Sequence, residues 1–145
     1  MRFMVIVKAN AESESGKLPD EKILAAMGKF NEELVKAGVM LAGEGLHASS
    51  KGVRVRFGKG SQRTVIDGPF SETKELVAGF WLLQTKSREE CIEWIKRAPF
   101  GAGEEVEIRQ VHDAEDFAAA DPTGELRAQE KRLRDIAARQ PRADR

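Results

Sequence analysis

Eight consecutive apolar residues, Leu76 to Leu83 (LVAGFWLL), sit between Glu75 and Gln84. The run is far shorter than the roughly 20 residues that a membrane-crossing helix needs, and no longer apolar run occurs elsewhere in the chain. Its aromatic and branched residues suit a strand buried on both faces. Residues 3–7 have the same character, with Phe3, Val5 and Val7 on one side and Met4 and Ile6 on the other. Any fold of this chain must therefore cover a sheet twice.

The other periodicities show how much cover the chain provides for itself. Asn10 to Lys17 is polar and reads as a loop. Pro19 and Asp20 open a helix whose apolar residues Ile23, Met27, Phe30 and Leu34 recur at helical spacing; Leu24 and Val35 widen the stripe, and Gly38 closes it. Val39 to Ala42 restarts a strand that breaks up at Gly43-Glu44-Gly45. Val53, Val55 and Phe57 then alternate with Arg54 and Arg56, a turn follows at Gly58 to Ser61, and residues 63–66 return as a hairpin. Ser87 and Glu90 form a capping box for a second helix, with Cys91, Trp94, Ile95 and Ala98 as its stripe and Pro99 as its stop. Val106 to Val111 is a last alternating strand.

The order β-α-β, hairpin, β-α-β predicts an α+β fold, a ferredoxin-like split βαβ antiparallel sheet with an inserted hairpin. Two helices cover one face of such a sheet. A second copy of the chain is the expected cover for the other, giving a homodimer through the sheet face.

Charge and cysteine content exclude some functions. The 24 basic and 24 acidic residues cancel, which argues against a protein that binds nucleic acid directly. The five-residue apolar stretch near the N-terminus is too short for a signal-peptide core, and the single Cys91 excludes an intrachain disulfide. The expectation is a cytoplasmic protein without a membrane partner. Composition shifts near residue 118: of the 25 residues from Asp121 onward, 12 are charged. Residues 1–117 are read as the domain and 118–145 as a charged helical tail. Strong helix formers predict a helix over 125–139, supported by Glu130–Arg134 and Asp135–Arg139 pairs. Leu126, Leu133 and Ile136 are expected to pack on the same or the partner subunit, with Pro141 ending the helix and the last residues frayed.

The most distinctive string is Asp67-Gly68-Pro69-Phe70. It reads as a rigid corner in which Asp67 accepts hydrogen bonds from turn amides and Pro69 blocks further pairing. The alternative is that Asp67 projects into a cleft as an acid or base. His47 follows the Glu44-Gly45-Leu46 turn, so His47, Glu44 and Asp67 could line one cleft, with Asp67 and His47 as the acid–base pair. Candidate ligand-binding residues are Glu44, Asp67, Gly68, Pro69, Phe70 and Lys74. His112 reads as an exposed edge residue and Cys91 as a buried inert thiol. Arg54, Arg56 and Arg63 read as a solvated sheet face, with an anion patch as the alternative. No metal-ligand spacing and no cofactor motif occurs, so none is assigned.

The Asp67–Phe70 string lies between the hairpin and the apolar strand, with GLHAS before it and PFGAGEEVEIRQV after it. With the LPDEKILAAMGKFNEELVKAGV helix and the Leu41–Leu46 turn, this order resembles the DGPF (YCII-related) family over roughly residues 1–113. The resemblance implies a dimeric α+β barrel and, for many members, an association with extracytoplasmic-function sigma factors. The wider group includes a dehydrochlorinase-type enzyme with a histidine–aspartate pair, its histidine on the first helix. Here that helix reads Met27-Gly28-Lys29-Phe30-Asn31-Glu32 and has no histidine. The leading expectation is a small-molecule-binding or regulatory dimer. A lyase or isomerase using Asp67 and His47 is the first alternative, and a protein-interaction module docking through the tail helix is the second.

Overall fold

The computed structural model describes residues 1–142. They form two compact units, Met1–Val111 and a second from His112 onward. The first unit contains β1 (Arg2–Lys8), α1 (Ala11–Glu14), α2 (Glu21–Lys36), β2 (Met40–Gly45), β3 (Val53–Phe57), β4 (Arg63–Asp67), β5 (Val77–Gln84), α3 (Arg88–Ile95) and β6 (Val106–Gln110). The main sheet runs β2-β5-β1-β6 with every neighbouring pair antiparallel. Since β1 and β2 both run against the β5 that separates them, β1-α2-β2 is a split βαβ unit. β3 and β4 form a separate two-stranded sheet.

The apolar strands divide by residue parity. Phe3, Val5, Trp81 and Leu83 are buried against Phe30 and Leu34 of α2 and Cys91 and Ile95 of α3. The other parity, Met4, Ile6, Phe80 and Leu82, points away from the helices and is half-buried or exposed. Trp81 anchors the covered face. Its ring meets Phe30 and Phe100 edge-on at 5.9 and 6.0 Å, and its Nε1–H donates to Asn31 Oδ1 at 2.8 Å. Such a buried indole needs this partner.

Caps fix the helix ends. Asp20 Oδ1 accepts the Ile23 N–H at 2.9 Å. At the other end of α2, Gly38 takes a φ of +70°, and the Val39 N–H reaches the Leu34 carbonyl at 2.9 Å, closing a Schellman motif. Ser87 caps α3 through the Glu90 N–H. The Glu90 carboxylate bonds the Lys86 N–H at 2.7 Å, one residue before the position a reciprocal box would use.

Two expectations need correction. The polar stretch after β1 is not all loop: Asn10 and Ser13 exchange side-chain-to-amide bonds of 2.9 Å each way, enough to close the single turn α1. The stripe of α2 is also narrower than its spacing suggests. Phe30 and Leu34 are buried, whereas Ile23, Leu24 and Val35 are exposed.

In the second unit α4 spans Glu125–Arg139, the range its helix formers predict. Asp121 caps it, accepting the Leu126 and Arg127 amides and the Arg127 Nε–H. Arg127 also pairs with Glu115. Leu126, Leu133 and Ile136 are all more than half exposed, so the expected packing of this stripe is not found among the described residues. The expected fraying falls partly on residues 143–145, which lie outside them. Among the described residues no helix is long and apolar enough to cross a membrane.

Candidate functional site

Ser49 is the junction on which the loops of the first unit converge. It opens a 3₁₀ turn, Ser49–Lys51, between β2 and β3. Glu14 at the end of α1 accepts both its N–H, at 3.0 Å, and its hydroxyl, at 2.6 Å. The same Oγ accepts the Phe70 N–H at 3.1 Å. Close by, the Gly68 N–H donates to the Gly52 carbonyl at 2.9 Å. One serine thus ties α1, the β2–β3 connection and the Asp67–Phe70 corner together. Arg54 completes the corner, its guanidinium 3.8 Å above the Phe70 ring.

This arrangement corrects the reading of Asp67. The corner is held by Ser49 and Gly52, and no hydrogen bond or ion pair among the described residues engages the Asp67 carboxylate. Asp67 ends β4 opposite Val53, at an exposed position. Gly68 is required for another reason: a β-carbon there would collide with the Ser49 carbonyl oxygen.

A cleft of about 630 Å³ opens beside the junction, between α1, the start of α2 and the 45–51 segment. Leu18, Ile23, Leu24 and Leu46 line it, all about half exposed or more. Ile23 and Leu24 are the α2 residues that the core leaves uncovered. His47 and Lys51 line it too, and neither side chain has a polar partner among the described residues. The acidic lining groups are already engaged. Glu12 pairs with Lys17 at 3.3 Å, Asp20 caps α2, and Glu104 accepts the Gly101 N–H. The cleft therefore offers apolar walls and two unengaged nitrogen groups.

Of the candidates named from sequence, only His47 lines this cleft. Glu44 lies on β2 opposite Phe80, on the sheet face that the helices leave open. Gly68, Pro69 and Phe70 form the corner, and Lys74 is exposed in the 3₁₀ turn Thr73–Glu75. Lys51 and Leu18 were not legible as site residues, since neither belongs to a motif. The Glu14–Ser49–Phe70 chain spans separations of 35 and 21 residues with no local signal. Cys91 is fully buried; desolvation, and then the Glu90 carboxylate, push its thiol up to about 11. His112 is exposed beside Asp116, at 3.2 Å. Among the described residues no group of three metal-capable side chains converges.

A family model, the YCII-related domain, matches residues 1–115. An uncharacterised protein of Rhizobium meliloti (strain 1021) is 29% identical over 80 residues. That match covers 55% of this chain and 64% of the relative, less than two thirds of its length.

Proposed function

The chain belongs to the YCII-related family, and from that premise we propose that it is a small-molecule-binding module whose site is the cleft beside Ser49. The observation that carries this reading is the imbalance within the cleft: its carboxylates are engaged, while His47 and Lys51 are not. An unpaired ammonium beside exposed leucines suits a small amphipathic acid, with the apolar body on Leu18, Ile23, Leu24 and Leu46 and the carboxylate on Lys51 and His47. The acid–base alternative needs Asp67 within reach of His47. Asp67 is not among the residues lining the cleft, which favours binding over catalysis.

The working unit is a homodimer through the open sheet face, where Met4, Ile6, Phe80 and Leu82 would otherwise meet water. A cytoplasmic setting, read from the sequence, and a link to an extracytoplasmic-function sigma factor, implied by the family resemblance, complete this reading and add no residue to the site. Titration of octanoate against octanol, followed by NMR shifts of the 45–51 backbone, tests the binding claim. Octanoate should shift these resonances in wild type and lose its advantage over octanol in Lys51→Gln. Equal responses to acid and alcohol would remove the proposed role of Lys51 and His47.

A further inference from the structure

Residues 10–20 form a strap between β1 and α2. It is fixed at one end by the Ala9 N–H, which donates to the Leu76 carbonyl at 2.9 Å, and at the other by the Asp20 cap. Between these anchors its polar groups mostly serve one another. Asn10 and Ser13 exchange bonds, the Ser15 hydroxyl donates to the Glu12 carbonyl at 2.6 Å, and Lys17 pairs with Glu12. Gly16 takes a φ of +80°, with open space where a β-carbon would stand. Glu14 is the exception. Among the described residues, its two bonds to Ser49 are the only hydrogen bonds or ion pairs that run from the strap to the 45–51 segment.

The strap and that segment are two walls of the cleft. Ser13 and Leu18 line it from the strap, and His47 and Lys51 line it from the segment, whereas neither Glu14 nor Ser49 is a lining residue. The clasp thus joins the walls from outside the space between them. A ligand with its apolar body on Leu18 and its carboxylate on Lys51 must meet both walls at once. Its affinity then depends on how the walls are spaced before it arrives, since ordering a loose strap on binding costs free energy.

We propose that Glu14 is a positioning residue for this site, and that its clasp on Ser49 holds the strap in register with His47 and Lys51. This rests on the binding reading above and assigns the preorganisation of that site to a carboxylate outside it. Electrostatics alone predicts the opposite effect of losing Glu14. A carboxylate anchored on Ser49 repels an anion held by Lys51, so removing its charge would by itself tighten the binding of an acid. Loss of the clasp weakens it.

Titration of octanoate and octanol against wild type, Glu14→Ala and Ser49→Ala tests this role, read from NMR shifts of the 45–51 backbone well below the unfolding temperature. Wild type should prefer the acid. Both variants should lose octanoate affinity by about tenfold, the equivalent of one charge-assisted hydrogen bond, although His47 and Lys51 are intact. A loss of fold stability alone leaves the affinity of the folded protein unchanged. Glu14→Gln, which can still accept from Ser49, should recover part of the loss despite lacking the charge. In the ligand-free protein, amide relaxation should show residues 11–18 more mobile in both alanine variants, with β5 unchanged. Alanine variants that bind octanoate as tightly as wild type, or more tightly, would overturn the positioning role and leave the binding site standing. Unchanged relaxation over 11–18 would show a strap held without the clasp, and would overturn it too. A wild type that does not distinguish acid from alcohol would sink the binding reading, and the positioning role with it.

Discussion

Gly68 lies so close to Ser49 that no side chain fits between its α-carbon and the Ser49 carbonyl oxygen. Both partners are backbone, so neither can swing aside. Gly68→Ala should therefore cost about 1–3 kcal/mol or more, as overpacking of a fixed contact does. Urea unfolding measures it; a loss below a few tenths of a kcal/mol would show that the corner opens freely.

The Ser49 hydroxyl serves two partners, Glu14 and the Phe70 amide. Ser49→Ala and Glu14→Ala should each destabilise by about 1 kcal/mol, and the double variant by clearly less than their sum. Additive losses in a double-mutant cycle would mean that the two groups do not act on one another.

Asn31 is the sole hydrogen-bond partner of the buried Trp81 indole among the described residues. Asn31→Leu leaves that N–H unsatisfied and should cost about 1–3 kcal/mol. Asn31→Gln should recover part of the loss if its longer side chain reaches, and the tryptophan emission reports the environment of the ring.

Burial pushes the Cys91 thiol up to about 11 from 9.0, and Glu90 adds to the effect. A folded-state value above the unfolded one stabilises fully at pH below 9.0, and this contribution is lost as pH rises toward about 11. Ellman's reagent at pH 8 should react only after denaturation. Rapid labelling of native protein would contradict the buried thiolate-averse site.

At Asp121 the sign is opposite. The Arg127 backbone N–H, followed by the Leu126 N–H and the Arg127 side chain, holds its carboxyl below the usual range. The cap therefore contributes fully above about pH 4, the ordinary carboxyl value, and is lost as pH falls through the lowered folded value. Helical signal at the start of α4, followed by NMR, should fall in acid for wild type. In Asp121→Ala it should be weakened already at neutral pH, with little further change in acid.

Much of the fold is legible in the residues because each major element carries its own punctuation. Asp20 and Gly38 bracket α2, Ser87 opens α3, and Phe3, Val5, Trp81 and Leu83 alternate with the sheet's second face. What is not legible depends on partners distant in the chain. The turn α1 has no apolar periodicity and survives on the Asn10–Ser13 exchange. Alternation in Val53–Phe57 reads as a buried face, yet every residue of the strand is exposed, since period two records which side is apolar and not what lies against it. The candidate site is the least legible part. His47 stands out because it is titratable, whereas Lys51 and Leu18 acquire meaning only when α1 and the 45–51 segment face one another.

The hairpin leaves and re-enters the first unit through a single gate, the 2.9 Å bond from the Gly68 N–H to the Gly52 carbonyl. A chain excursion whose ends are pinned together is thermodynamically self-contained: doubling its length adds only about 0.6 kcal/mol of closure entropy. Hairpins of other lengths should therefore fit between Gly52 and Gly68 without re-registering the four-stranded sheet. The chemistry that must stay fixed is at the gate, in Ser49, Gly52 and Gly68, and in the one hairpin side chain that reaches back to it, Arg54 over the Phe70 ring.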